Sequence, residues 1–245
     1  MKTAAELQDV ADVLSGTLSG SRPETRRALA MRAEVRTFRP RQTVVAQGEE
    51  SRVGVILDGH LGFRRTTVDG REVMPRIISR GDIGPFLSLL HRPSTAELIA
   101  LSPSRVALWP GEDIQALAVD DAGLAVDLLR HVLLGFEEIV ERLDGLLYQN
   151  ARRRVARILL QHADLVFGDE AVVTRAYLPA LIGTSREMTG RVLRELESDG
   201  LVQRMGRHRL RLLDAPGLAR AAAVSVRDSG ARNKFLVARG SPMQE

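Results

Sequence analysis

Arg186, Glu187 and Arg191 stand at i, i+1 and i+5 in Thr-Ser-Arg-Glu-Met-Thr-Gly-Arg-Val-Leu-Arg-Glu-Leu, residues 184–196. On a helix those positions share one side, while Val192, Leu193 and Leu196 take another that can be buried. The residue types suit the edges of DNA bases. A guanidinium forks onto guanine O6 and N7, and a carboxylate accepts from cytosine N4, so the polar side carries the chemistry of direct base readout. A surface helix with solvated charges has the same pattern, and short motifs recur by chance.

The neighbouring residues favour the first reading. Thr174 to Gly183 reads as a preceding short helix, with Thr174 as its N-cap and Gly183 as the tight turn into the next. Helix, glycine turn and polar-faced helix make a helix-turn-helix. Pro179 falls inside the first helix, where it predicts a tightened or kinked backbone. Residues 151–214 hold 12 arginines against eight acidic residues, net +4, whereas residues 1–150 are net −3. Positive charge thus gathers where phosphates would lie. Arg204, Arg207, His208, Arg209 and Arg211 alternate with Leu210 and Leu212 after Leu201-Val202, as in a hairpin wing with a basic tip along a phosphate backbone. Arg207, Arg209 and Ser185 are the phosphate candidates from this stretch.

Composition narrows the alternatives. With no cysteine, disulfides and cysteine-ligated metal centres are excluded. No apolar run approaches a membrane span and the N-terminus lacks a signal-peptide core, so a cytoplasmic protein without membrane contact is expected. An enzyme is disfavoured: the chain has no Gly-x-Ser-x-Gly, no phosphate-cradling loop, no His-Glu-x-x-His and no cysteine nucleophile. His60, His91 and His131 show no haem-ligand pattern, and no cofactor or metal is expected. A sensor that uses its helix-turn-helix to dock a protein partner is the other class of reading; steep salt dependence would mark DNA binding instead.

Ahead of the basic half, residues 3–35 read as helical, broken near Gly20 and Pro23. Short runs follow with glycine turns: Thr43 to Val45, Val53 to Leu57, Gly62-Phe63, Val73 to Ile78 and Arg105 to Trp109, a barrel or jelly-roll pattern. Then Ala125, Leu129, Val132, Phe136, Ile139, Leu143, Leu146 and Asn150 recur at alternating spacings of four and three, a heptad seam. It runs about 38 Å at 1.5 Å per residue. Such a seam, built on Leu129, Val132, Phe136, Ile139, Leu143 and Leu146, pairs two chains. It predicts a homodimer on a palindromic double-stranded site with half-sites about 34 Å apart. Leu128, Leu133, Val140 and Leu147 remain for packing on the chain's own strands. The expected division is N-terminal helices 1–35, β-roll 36–115, dimerisation helix and hinge 116–150, winged helix 151–214, and an extension 215–245. In the extension, a helix is expected over 216–226 and disorder over 228–245. The class is α+β.

This layout resembles the cyclic-AMP receptor (Crp/Fnr) family of bacterial transcription regulators from about Phe38 to Leu213, most specifically over 183–196. The resemblance implies an N-terminal cyclic-nucleotide-binding-like β-roll (a double-stranded jelly roll), a long dimerisation helix and a C-terminal winged helix-turn-helix. It places Arg186, Glu187 and Arg191 at base-reading positions and makes Thr174 and Arg175 similar to phosphate-facing residues. RNA polymerase becomes a further candidate partner. Met188 stands where a threonine often follows the reading glutamate. The effector region departs from the family. Cyclic-AMP binders carry Phe-Gly-Glu-Leu and an Arg-Ser pair about ten residues later, for the ribose hydroxyl and the cyclic phosphate. Here Gly84-Pro85-Phe86-Leu87 puts Phe86 at the glutamate, and Ser94-Thr95 fall on the Arg-Ser pair. The adenine contacts from the long helix fall on Ile139 and Val140. An anion without these partners is poorly paired, at a cost of several kcal/mol. The expectation is a protein that does not bind cyclic AMP in the usual way; a cyclic-AMP response through non-standard contacts is the alternative.

Overall fold

Two helices and a strand occupy the first 38 residues of a computed structural model that describes residues 3–169, 171–206 and 208–222. Helix α1 (Ala4–Thr17) opens on a reciprocal cap: the Thr3 hydroxyl accepts from the Glu6 amide at 3.2 Å, and Glu6 accepts from the Thr3 amide at 2.9 Å. Helix α2 (Pro23–Arg32) has its proline in the first turn, where a missing donor goes unused. The expected helix through residue 35 is too long, because Glu34–Phe38 is strand β1, paired with the last strand of the roll.

The other strands are β2 (Thr43–Val45), β3 (Val53–Asp58), β4 (His60–Thr66), β5 (Glu72–Ser79), β6 (Ile83–Gly84), β7 (Glu97–Ala100) and β8 (Ser104–Trp109). They form two antiparallel four-stranded sheets, ordered β1-β8-β3-β6 and β2-β7-β4-β5. Strands β3 and β8 are buried on both faces, which is why Val53 to Leu57 reads as a continuous apolar run. Alternation sends Val53, Val55, Leu57, Ala107 and Trp109 toward α1, α2, helix α3 (Gly111–Asp120) and the start of helix α4 (Ala122–Tyr148). Ile56, Val106 and Leu108 face Leu61, Ile78 and Leu98 of the other sheet. Gly59 makes the β3–β4 turn at φ 83°, and a Cβ there would lie 2.3 Å from the Pro103 carbonyl. Strands β1, β6 and β7 escaped the sequence reading. None of the three alternates: β1 is largely exposed, β6 spans two residues and β7 is buried almost throughout, and neighbouring strands supply their hydrogen bonds.

Buried carboxylates fasten α4 to the chain's beginning. Asp127 accepts from the Gly20 and Ser21 amides at 2.8 and 3.0 Å, and Asp121 from the Arg22 amide at 2.8 Å. Of the four α4 residues expected to pack inward, Leu128 is buried, while Leu133, Val140 and Leu147 are exposed. The later inward positions hold Gly135, Arg142 and Gly145.

Among the described residues, those to 148 together with 177–183 make one unit, and those of 149–176 and 184–222 make a second. Helix α7 (Leu178–Ile182; α5 and α6 follow below) therefore belongs to the first, where it packs on β5. Arg142 donates to the Pro75 carbonyl at 3.4 Å and to the Ala180 and Leu181 carbonyls that end α7. Burial pulls its pKa down to about 10, so it stays charged at neutral pH. The helix starts at Leu178 rather than Thr174, so Pro179 sits in its first turn and no kink results. In the second unit, α5 (Ala151–Gln161) is capped by the Asn150 side chain, which accepts from the Arg153 amide at 2.9 Å. A short α6 (Ala163–Phe167), helix α8 (Arg186–Ser198), the hairpin β9 (Val202–Met205) and β10 (Arg209–Leu212), and α9 (Ala215–Ala222) complete it. Helix α5 packs on α8 and α9. The remainder of the helix expected to 226, and the disorder expected over 228–245, lie outside the described residues.

Candidate nucleic-acid interface and sensory region

Gly183 ends α7 in the left-handed conformation, φ 70° and ψ 46°, and two residues later Ser185 caps α8 by accepting from the Met188 amide at 3.1 Å. Ser185 is thus first a cap; its hydroxyl proton stays available to a phosphate. Val192, Leu193 and Leu196 are buried at 2%, 2% and 0% exposure, and Thr189 is buried while donating to the Ser185 carbonyl at 2.9 Å. That anchored face leaves Arg186, Glu187 and Arg191 in solvent together. Arg191 contacts the Met188 sulfur at 2.9 Å and lies 4.0 Å from Glu195. Arg194, which the sequence reading left unassigned, is exposed within the same arc of about 140°. The signal for it was its spacing of three from Arg191.

The phosphate candidates separate. Arg175 is turned to the wing: its amide donates to the His208 carbonyl at 3.0 Å and its Nη1 to the Gly206 carbonyl at 3.3 Å. Arg209 donates to the Asp169 carbonyl at 2.9 Å and is otherwise exposed. Thr174 is half-buried. Arg207 lies outside the described residues. Other arginines of this half brace its helices and wing: Arg152 pairs with Asp199 at 2.6 Å, and Arg204 with Glu197 at 2.5 Å.

Residues 35–121 match the cyclic nucleotide-binding domain family, and residues 153–221 the Crp-like helix-turn-helix domain. The chain belongs to the Crp/Fnr family of transcription regulators. It is 26% identical to the cAMP-activated global transcriptional regulator Vfr of Pseudomonas aeruginosa, over 70% of this chain and 86% of that one. It is 29% identical to the cyclic AMP receptor protein of Thermus thermophilus, over 61% and 69%. Among solved structures, FixK2 from Bradyrhizobium japonicum superposes with a TM-score of 0.68 at 19% identity, covering 79% of this chain and 98% of that one. The c-di-GMP responsive regulator CLP of Xanthomonas campestris superposes with a TM-score of 0.63 at 22% identity, covering 82% and 99%. At these identities the structural likeness speaks for the fold. It is a DNA-binding transcription regulator with a cyclic nucleotide-binding domain. Among the described residues, no helix is long and apolar enough to cross a membrane.

In this Crp/Fnr chain the residues that the family resemblance places at nucleotide contacts are apolar, bonded within their own loop or exposed. Phe86 packs with Leu89 and Leu117 on the cluster between the helices and the β1-β8-β3-β6 sheet. Leu87 opens a 3-10 turn, Leu87–Leu90, and is half-buried. Ser94 is buried, but its hydroxyl donates to the Ala96 carbonyl at 2.6 Å, closing its own loop. Thr95 is exposed. Ile139 and Val140 lie on the open side of α4, 51% and 40% exposed. Of these six side chains only Ser94 and Thr95 are polar, and none carries a positive charge. A cation that the sequence reading missed lies between β5 and α4: Arg76 pairs with Glu138 at 2.7 Å and Asp82 at 3.4 Å, beside Gly135. A lone arginine in a strand gives no sequence signal of such a bridge.

The seam residues Leu129, Val132, Phe136, Ile139, Leu143 and Leu146 are all exposed in the single chain, Phe136 at 62%. Leu146 also contacts the turn after α7, 2.9 Å from where a Gly183 Cβ would be. A groove of about 600 Å³ runs along Val126, Leu129, Leu133, Phe136 and Val140, flanked by Arg130 and Glu137.

Proposed function

We propose that the protein acts as a homodimer on a palindromic DNA site. Each α8 presents Arg186 and Arg191 to guanines and Glu187 to a cytosine, and the sensory half answers to something other than cyclic AMP held in the usual way. The observation that carries this reading is the anchored, capped α8 with its three polar readers exposed on one face. The apolar stripe of α4 supports pairing, since exposed apolar surface of this extent marks an interface. The spent Ser94 hydroxyl and the apolar setting of Phe86 support a different effector, or none. Two relatives carry cyclic AMP in their names, so binding through non-standard contacts is the competing reading.

Selection of bound duplexes from a random pool tests the first part. A two-fold symmetric consensus is expected, with affinity falling steeply in salt, about 0.9 in the log–log slope for each phosphate neutralised. An asymmetric consensus, or affinity indifferent to salt, overturns it. Calorimetry with cyclic AMP tests the second part: micromolar binding lost on Ser94 or Thr95 substitution would establish the competing reading.

A further inference from the structure

A two-stranded hairpin is marginal by itself, so the β9–β10 wing needs outside fastening to keep a fixed angle to α8. Glu197, in the last turn of α8, supplies it. Its Oε1 accepts from the Arg204 amide at 2.9 Å, and its Oε2 accepts from Arg204 Nε and Nη2, both at 2.5 Å. The amide bond from Arg204, with its guanidinium behind it, holds the Glu197 carboxyl below the usual range. At the other end of the hairpin, Arg175 is bonded to the Gly206 and His208 carbonyls. A carboxylate in a half of the chain that must approach phosphates repels them, so electrostatics alone disfavours it there.

We propose that Glu197 is a positioning residue for DNA binding, locking the wing to the reading helix through Arg204 so that both meet one duplex as a single body. The inference rests on the DNA-binding reading above, and its test has an outcome of opposite sign to simple charge. The full chain is titrated against its selected duplex at several salt concentrations, with affinities referred to the folded fraction from melting curves. The variants are Glu197→Ala, Glu197→Arg, and Glu197→Arg combined with Arg204→Glu. Glu197→Ala should bind about tenfold more weakly, with the salt slope shallower by about 0.9 for each wing phosphate lost. Glu197→Arg should be weaker still despite its added positive charge, and the swapped pair should recover most of the loss. Equal or tighter binding by Glu197→Ala overturns the role. If Glu197→Ala does not fold, the swapped pair decides: recovery over Glu197→Arg supports the role, and no recovery overturns it. A wild-type chain that binds no duplex would instead overturn the DNA-binding reading.

Discussion

Arg191 is held by little. A sulfur contact and an exposed carboxylate 4.0 Å away are worth a fraction of a kcal/mol, so the guanidinium can leave both for a base edge. Arg191→Ala should remove about 1–3 kcal/mol of discrimination at one base pair of each half-site and leave other positions unchanged. Binding to a panel of single-base operator variants measures this; uniform weakening would reassign Arg191 to the backbone. Arg175 presents the contrast. It is as basic, and the family resemblance puts it near phosphate, yet its side chain and amide are committed to wing carbonyls. Residue type and spacing made Arg186, Glu187 and Arg191 legible as one polar face, and the structure leaves all three exposed. Which arginines were already engaged was not legible, because their partners come from elsewhere in the chain.

Among the elements, α4 is the clearest case of periodicity outrunning a single chain. Its alternating four-and-three spacing is local information, and the helix forms over Ala122–Tyr148, ending before Asn150, the last position of the repeat, which caps α5 instead. One face is consumed at the start by Leu124 and Leu128, while the stripe through Leu129 and Phe136 stays open. If that stripe is the dimer seam, Phe136→Glu buries charge against a partner and should convert the dimer to monomer. Operator affinity should fall more than tenfold, since each half-site is then bound alone. Sedimentation of the variant beside the wild type decides it, and an unchanged dimer would place the seam elsewhere. Helix α7 shows the limit of local reading. Thr174 is a good cap by type, but the helix begins at Leu178, where its apolar residues meet β5.

At the scale of the molecule, a few buried carboxylates join segments far apart in sequence. Asp121 is 3% exposed and accepts from the amides of Arg22, Gly123 and Leu124. A bond from Thr25 leads the interactions that pull its pKa from 3.8 to about 2, against the cost of burial. Because the folded pKa is depressed, its contribution is complete above about pH 4 and is lost as pH falls toward 2. Asp121→Asn should cost about 1–3 kcal/mol at neutral pH and flatten the fall of stability between pH 4 and 2. Thermal melts of both proteins across that range check this; parallel curves would mean that other carboxylates carry the acid sensitivity. By itself the sequence determined what depends on neighbours within a turn or two: the heptad stripe, the break in it near Asn150, the apolar runs of β3 and β8 and the polar face of α8. Only the tertiary structure decided which polar groups were already spent. Asp121 meets Arg22 across 99 residues and Arg175 meets Gly206 across 31, and no local pattern encodes a partner that the chain must fold back to reach.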